Sequence, residues 1–499
     1  MKGSDVRLAV VLIAVLGVLA RIALWAVVPV TGDAVYHYSI AKGLLPLLPS
    51  HAFDFSTGGD PMWYPPLFHL FAHVFYLFGI EALTPLFFGV LSLGAYYLLF
   101  SRFYPRFLLA GMAFASFLPI HMYFSAVGYV ESLLFLLSPL VFYCYLRYLE
   151  EKNRKFLALS LLLSVACFLT HYQGFIPLFA IAMHLFFRDR KTAVLFLTAG
   201  LLLASPWYIR NYITFGSPVW PLLFEGKYPV HQGYEAGSIV KILSFAKWRS
   251  LFFEYWVGAP NSGEDFMRNV DVAGRFLPFS GALFTLWLLA VMAFSALCLL
   301  GLSRLLGNDR FRGLFLVVLA LSIVPLLLSN FVRMLFFAFP VLILGFVFGL
   351  ERLSALKSLP KLAVVIIVLL AVAMPSFAYA VIYQNMVAQY APFYSMVNAQ
   401  LPADAVVLTV MDDQTFREVD RTVVSIGTVK EFRPTLACLM DSAGRPACLQ
   451  KFGVTHVCCT SLRVPNIGGP VLDICNDLSR NPPVIEYSSG SVWGRCWGV

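Results

Sequence analysis

The stretch Pro66–Gly79, PLFHLFAHVFYLFG, decides the fold, because whether it crosses a membrane sets the side of every loop that follows. It is apolar throughout but short for a crossing, since a helical span needs about 20 residues. Laid along the outer interface as an amphipathic helix, it leaves the later loops on sides that agree with their charge. Short loops at 1–7, 102–106, 147–155, 188–191, 304–312 and 351–361 hold 17 Lys/Arg and 6 Asp/Glu, a balance of +11. The whole chain carries +9, so the remainder is −2. Basic residues gathered in alternate short loops mark the cytoplasmic side. A crossing at 66–79 would turn them all outward. The i, i+4 spacing of His69 and His73 puts both on one face of this helix, as metal ligands or as its interfacial polar face.

Outward from that segment, the chain reads as a polytopic membrane protein. Hydrophobic residues make up 60% of the 499 and charged residues 13%, more apolar surface than a soluble core uses. The placement of the basic residues makes them orientation signals, so no nucleic-acid partner is expected. The first apolar run, Leu8–Val30, is long enough to span and has no small-residue cleavage site, so it reads as a helix and not as a cleaved signal. Further spans are expected at about 82–101, 107–124, 131–149, 156–171, 174–187, 191–208, 279–302, 311–329, 333–350 and 360–383. The expected fold is an all-α polytopic bundle of about eleven transmembrane helices over residues 1–383. The first outer loop is 31–80, and 209–278 is a long outer segment. After about Gln384 the composition changes. ADAVVLTV, GVTHVCCT and PPVIEYSS are short β-type runs between turn residues, which predicts a small extracytoplasmic α/β domain over 384–499. It holds Cys438, Cys448, Cys458, Cys459, Cys475 and Cys496, an even number that favours disulfides, with no CxxC pair for zinc. Cys144, Cys167 and Cys298 lie in spans and read as apolar filler.

The polar groups concentrate in Thr31–Leu67, TGDAVYHYSIAKGLLPLLPSHAFDFSTGGDPMWYPPL. Asp33, Asp54, Asp60, His37, His51, Trp63 and Tyr64 stand there at the mouth of the first span. Transfer of a sugar from a lipid-linked phosphate at such a boundary needs a carboxylate base, groups that hold the departing phosphate, and an apolar groove for the tail. Asp33 is the first candidate base, with Asp60 and Glu131 as further acids. Glu131 opens a span, where an acid also suits the helix dipole. Arg210 and Arg333 are candidate phosphate ligands, arginine offering a fork of donors to two oxygens. Arg333 serves equally as an anchor for a span end. Arg21, within the first span, is either a snorkelling arginine or a buried partner for an outer acid or phosphate. Tyr36, His37, Tyr64, His171 and Gln173 are candidate cavity-lining residues, His171 and Gln173 also fitting a capped helix–helix turn. Asp33 and His37 are the candidate ligands should a divalent metal bind. Asp54 and His51 fit a solvated loop.

The order GDAVYHYSIAKGL, YPPLFHLFAHVFYLFG, SAVGYVESLLFLL, SPWYIRNYITFGSPVWP and RMLFFAFPVLILGFVFGLERL resembles the GT-C glycosyltransferases over roughly residues 8–380. The similar branch is the dolichyl-phosphate-mannose protein mannosyltransferase-like group, which includes the aminoarabinose transferases. The resemblance implies a helical bundle with interfacial jaw helices in the first outer loop and an acid of that loop, here Asp33, at the catalytic centre. It also implies a polyprenyl-phosphate (dolichyl-phosphate) sugar as donor. The chain departs from the pattern in carrying Gly32-Asp33 where many relatives have two adjacent acids. It has Tyr64 where the aminoarabinose transferases have a lysine before the Pro-Pro pair, which shifts phosphate binding to arginines elsewhere. The expected activity is inverting transfer of a sugar, as a hexosyltransferase, to a protein, lipid or glycan acceptor at the outer face of the cell membrane. The rivals are a secondary transporter, which would need repeat symmetry and broken helices at mid-membrane, and a non-catalytic scaffold displaying the C-terminal domain.

Overall fold

The computed structural model of the chain describes residues 3–28, 64–219, 255–258, 282–329, 332–352, 372–378, 387–409, 419–425, 453–461, 475–490 and 492–498, with isolated positions such as His37, Ile40 and Ala41 between them. The described helices are α1 (Gly3–Val27), α2 (Leu67–Leu77), α3 (Thr84–Phe103), α4 (Leu108–Phe117), α5 (Pro119–Phe124), α6 (Glu131–Glu151), α7 (Arg154–Phe168), α8 (Phe175–Phe186), α9 (Arg190–Phe215), α10 (Ala282–Asn308), α11 (Arg312–Ser329), α12 (Phe339–Arg352) and α13 (Ala391–Gln400). Their ends follow local chemistry. Asn153 caps α7 by accepting from the Lys155 amide at 3.0 Å, and Asp189 caps α9 by accepting from the Thr192 amide at 3.1 Å. Gly216 closes α9 in the left-handed conformation that only glycine adopts without strain.

Among the described residues, five helices are long and apolar enough to cross a membrane, over residues 6–27, 81–103, 131–151, 190–213 and 285–307. Shorter apolar helices lie beside them. The molecule is an integral membrane protein. The single span expected at 107–124 is two helices, α4 and α5, because Leu118 precedes Pro119 and takes an extended backbone with ψ 124°. The span expected from 333 begins as a 3-10 turn, Val332–Ala338, and becomes α-helical only at α12. Most of the span expected at 360–383 lies outside the described residues.

The two ends of the bundle can be told apart by their contacts. At one end Glu150 meets Arg310 at 2.6 Å and Arg102 at 3.3 Å, while Glu351 meets Arg304 at 2.7 Å and Arg106 at 3.5 Å. The ends of α3, α6, α10 and α12 and the starts of α4 and α11 therefore share that basic end. At the other end Trp25, in the last turn of α1, donates from Nε1 to the Ala82 carbonyl at 2.7 Å, just ahead of α3. The end of α1 and the start of α3 thus lie at the same end of the bundle. The amide of Leu67 at the start of α2 donates to Leu169 at the end of α7, again at the end opposite the ion pairs. α2 does not cross, as its length and the charge pattern required. Its outer residues Leu70, Phe71, Val74 and Leu77 are exposed, which suits a helix lying against lipid.

The C-terminal unit is a five-stranded sheet of β1 (Val406–Thr409), β2 (Thr422–Ser425), β3 (His456–Thr460), β4 (Ile485–Ser489) and β5 (Val492–Gly498) in the order β2-β1-β3-β5-β4. β1 runs parallel to β2 and β3, and β5 is antiparallel to β3 and β4. Side chains alternate across it. Val407, Cys458, Cys496 and Ile485 pack with Phe393 and Val397 of α13, while Leu408, Val457, Cys459 and Trp497 belong to the other face. Gly494 lies where α13 comes down on β5, and an added Cβ would fall 2.5 Å from the Phe393 ring. The alternation also sorts the cysteines. Cys458 bonds Cys496, its cross-strand neighbour on β5, and the adjacent Cys459, facing the other way, bonds Cys475. Cys438 and Cys448 lie outside the described residues. Cys144, Cys167 and Cys298 are buried free thiols in the bundle.

This topology makes a labelling prediction. Single-cysteine variants Ile80→Cys and Gly216→Cys should react with an impermeant reagent from one side of the membrane, and Lys152→Cys and Arg310→Cys only from the other. Labelling of Ile80→Cys from the same side as Lys152→Cys would mean that α2 crosses.

Candidate functional site at the end opposite the ion pairs

α2 faces inward with His69 and His73, both buried. The Nδ1 of His73 donates to the Ala41 carbonyl at 2.6 Å, and the Nε2 of His69 lies 2.9 Å from Nδ1 of His37. Because His37 and Ala41 are themselves four apart, one turn of α2 grips one turn of the first outer loop. The spacing read from the sequence is real, but the face is buried against the chain and is not an interfacial polar face. Among the described residues no three His, Cys, Asp or Glu side chains gather as a metal site would require.

Around His37 the site is aromatic. Its ring packs edge-on to Tyr64 at 4.8 Å, Phe68 at 5.7 Å and Tyr129 at 6.3 Å. Tyr64 in turn lies 5.5 Å from His171. His171 accepts from the Gln173 amide through Nδ1 at 3.2 Å, so the THYQG turn is indeed a capped turn, and it also meets the Tyr64 ring. Its next residue, Tyr172, accepts from Asn211 Nδ2 at 3.0 Å, and Asn211 Oδ1 accepts from Arg210 at 2.7 Å. The guanidinium of Arg210 lies over the Trp207 ring at 4.8 Å. A connected set of imidazole, phenol, amide and guanidinium groups thus runs from α2 to the end of α9.

The second acid is nearby in the fold. Glu131 is buried at the head of α6, two residues after Tyr129, whose ring meets His37. A carboxylate at a helix N-terminus is favoured by the dipole, and burial there strengthens every polar contact it makes. Of the other sequence candidates, Asp33, Tyr36, His51, Asp54, Asp60 and Trp63 lie outside the described residues, and Arg333 is placed only by its backbone, in the 3-10 turn before α12. His69, Tyr129, Tyr172 and Asn211 join the site without having been singled out for it. The spacing of His69 from His73 signalled a shared face, and nothing in the sequence signalled the other three.

Arg21 belongs elsewhere. It is fully buried and spends its guanidinium on the break between α4 and α5. It donates to the carbonyls of Ser116 at 2.8 Å, Ala115 at 2.9 Å and Gly17 at 2.9 Å, and meets His121 Nδ1 at 2.8 Å. The carbonyls of Ala115 and Ser116 end a helix that Pro119 stops, and Arg21 donates to both, with His121 Nδ1 donating to Ala115 as well at 2.6 Å, while Gly17 lies one turn back on α1. Among the described residues its contacts are with backbone and imidazole, and not with a carboxylate.

An integral membrane protein with a buried polar site at the end away from its basic loops is the class these features define. ArnT from Cupriavidus metallidurans, in its crystal structure bound to undecaprenyl phosphate, aligns with 98% of this chain and 97% of its own at 13% identity, with a TM-score of 0.50. The apo structure of the same protein aligns over the same shares at 12% identity, with a TM-score of 0.49. The fold is therefore ArnT-like, the GT-C type that the order of motifs implied. A family described as a domain of unknown function, DUF8201, matches residues 90–249. No curated protein matches the sequence.

Replacing Arg21 by Met should destabilise the bundle, since the buried Ser116 carbonyl left without its donor costs about 1–3 kcal/mol. Thermal unfolding in detergent should shift down clearly for Arg21→Met and less for Arg21→Lys, which keeps one cationic donor. Unchanged melting of Arg21→Met would show that the cap is dispensable.

Proposed function

We propose that the chain is an inverting glycosyltransferase that moves a sugar from a polyprenyl-phosphate donor to an acceptor at the outer face of the membrane. The observation that carries this reading is the fold shared with ArnT, an aminoarabinose transferase crystallised with undecaprenyl phosphate. The placement of the polar site supports it, since that site lies at the end opposite the basic loops, which by the positive-inside rule is the extracytoplasmic end.

In this reading the phosphate is held by Arg210. Its planar fork suits two phosphate oxygens, and the stack on Trp207 and the bond to Asn211 orient it before the donor arrives. Preorganised charge of this kind stabilises the leaving phosphate without reorganisation at the moment of transfer. The tail lies along the lipid-facing apolar side of the bundle, near the exposed face of α2. The base is a carboxylate of the first outer loop, Asp33, with Glu131 and Asp60 as further acids. As the base takes the acceptor proton, the acceptor oxygen attacks the anomeric carbon and the bond to phosphate breaks on the opposite side. Tyr64, His37 and His171 line the pocket. The DUF8201 match, over 90–249, takes in Glu131, the THYQG turn and Arg210.

The test is transfer from undecaprenyl-phosphate-linked sugars by the purified protein in vesicles. Asp33→Asn should lower turnover by about 10²–10⁴-fold, the usual contribution of a general base, with donor binding kept. Glu131→Gln and Asp60→Asn should lose less, and Arg210→Ala should weaken donor binding. Should Glu131→Gln lose more than Asp33→Asn, the base is Glu131. Normal turnover by all the acid variants would overturn the mechanism.

A further inference from the structure

At the basic end, the turn from α3 to α4 and the turn from α10 to α11 are built alike. Each carries an exposed arginine directly ahead of a buried phenylalanine, Arg106 before Phe107 and Arg310 before Phe311. Each guanidinium lies over the ring that follows it, at 4.4 Å for Arg106 and 4.6 Å for Arg310. The two turns touch. Tyr104 donates to Asp309 at 3.2 Å, and Phe103 packs on Phe311 at 6.0 Å. The charges of Arg106 and Arg310 both act on Asp309, so the two guanidiniums stand close to that link. They are also the outermost side chains of the ion pairs, 63% and 58% exposed, where Glu351 and Glu150 are 30% and 24% exposed.

The ion pairs leave these arginines with capacity to spare. Glu150 gives one oxygen to Arg310 and the other to Arg102, and Glu351 gives one to Arg106 and the other to Arg304. Each carboxylate is thus shared by two cations, and each arginine reaches it through one nitrogen of a fork that can serve two oxygens. With the Arg147–Glu151 pair, Asp309 and Arg312 included, the described side chains of this corner comprise six arginines and four carboxylates, an excess of two positive charges. The surroundings decide which anion fits. Rings lie under the cations, Phe107 against Phe348 at 4.9 Å and Tyr104 against Phe348 at 6.2 Å. Leu98, one turn before Arg102 on α3, and Leu316, one turn beyond Arg312 on α11, are exposed as lipid-facing residues are. Cations at the helix ends with apolar helix sides running away from them match a phospholipid, phosphate outward and acyl chains inward. A soluble phosphate would have no use for the apolar sides.

We propose that Arg106 and Arg310 form a two-pronged site for the phosphate of an anionic phospholipid in the leaflet at the basic end, its acyl chains lying on the exposed sides of α3 and α11. The phosphate oxygens take the guanidinium hydrogens that the glutamates leave unused. A zwitterionic head carries the same phosphate together with its own cation, which the two guanidiniums repel, so the site selects an anionic lipid. One lipid held by both turns joins α3–α4 to α10–α11 beside the Tyr104–Asp309 bond. The site is at the opposite end of the bundle from Arg210 and is independent of the glycosyltransferase reading.

The experiment titrates the purified full chain in detergent with phosphatidylglycerol or with phosphatidylcholine of the same chains, and counts retained lipid by native mass spectrometry. The wild type should retain phosphatidylglycerol in preference. Arg106→Gln and Arg310→Gln should each weaken its binding about fivefold, the contribution of one basic residue near an anionic membrane surface, and the double variant about 25-fold. The control removes two charges from the same end outside the site, Arg154→Gln with Lys155→Gln, both exposed at the start of α7, and should bind as the wild type does. An equal loss in the control would mean that diffuse surface charge holds the lipid, and overturns the proposal. So does equal retention of the two lipids by the wild type. Displacement of phosphatidylglycerol by an equal concentration of glycerol phosphate would show a site for a free phosphate, and overturns it as well. If the double variant does not fold, the single variants, each leaving one glutamate trio intact, and the wild-type preference still decide.

Discussion

A helix that stops inside a membrane leaves carbonyl groups that no water can reach, and in this chain that constraint shapes everything near the site. Pro119 ends α4 short of a full crossing, and Arg21 crosses from α1 to bind the exposed carbonyls of Ala115 and Ser116. A charged residue inside a span is costly unless it is satisfied. Here three carbonyls accept from it, and His121, whose Nδ1 donates to Ala115 at 2.6 Å, packs beside it and meets Ser92 on α3 at 3.1 Å. The break brings in further chain. At Gly258, with φ 83°, the long outer segment approaches so closely that a Cβ would lie 2.6 Å from the Pro119 carbonyl. The short α5 and the turn after it then deliver Tyr129 and Glu131 to the polar end. His121 packs on Phe135 at 4.5 Å, one turn along α6 from Glu131, so the cap and the acid share one packed unit.

The two ends of the bundle are built on different chemistry. At the basic end, Glu150 and Glu351 each bridge two arginines from different parts of the chain. The side chains are partly exposed, and such pairs contribute at most about 1 kcal/mol each. Their effect is to hold helix ends in register more than to add stability. Asp309 stands among them, accepting from Tyr104 at 3.2 Å, and its burial raises its carboxyl above the usual range. At the opposite end, among the described residues, charge is sparse, and imidazole and phenol groups take its place. Neutral groups with defined hydrogens can be buried beside lipid at less cost than ions, and they can still accept or release a proton.

Much of this was legible in the sequence, for reasons that differ by element. The non-crossing of α2 followed from its length and from charges far downstream, because the side of a membrane is a parity property of the whole chain. The strands at 406–409, 456–460 and 485–489 stood out as short β-branched runs between turns. β5, VWGRCWG, did not, since two glycines interrupt its apolar residues, and one of them makes room for Phe393. Disulfides were expected from cysteine number alone, while their partners needed the sheet register. Arg21 was noticed as an anomaly, but the partners that fix its role are the carbonyls of Ala115 and Ser116 nearly a hundred positions away, and backbone groups carry no sequence signal. Asn211 and Tyr172 were invisible for the same reason: a pairing between two common polar residues is set by how α9 passes the THYQG turn.

Among the described helices, α10 and α12 come within backbone contact of each other. An added Cβ on Gly301 would fall 1.7 Å from the Gly345 carbonyl oxygen, and one on Gly349 would fall 2.0 Å from that of Leu297. Small residues four apart let two membrane helices meet backbone to backbone, with no side chains to slide between them. Such a pair has a fixed separation and little freedom to splay. When the surrounding bilayer thins or thickens, this pair cannot stretch to match it. The mismatch passes to helices with broad lipid-facing sides, α1 and α9, which adjust by tilting. α1 carries Arg21, and α9 carries Arg210 near its C-terminal end. The thickness of the host membrane is therefore a variable felt first at the Arg21 cap and around Arg210, while the α10–α12 pair stays as a fixed ruler beside them.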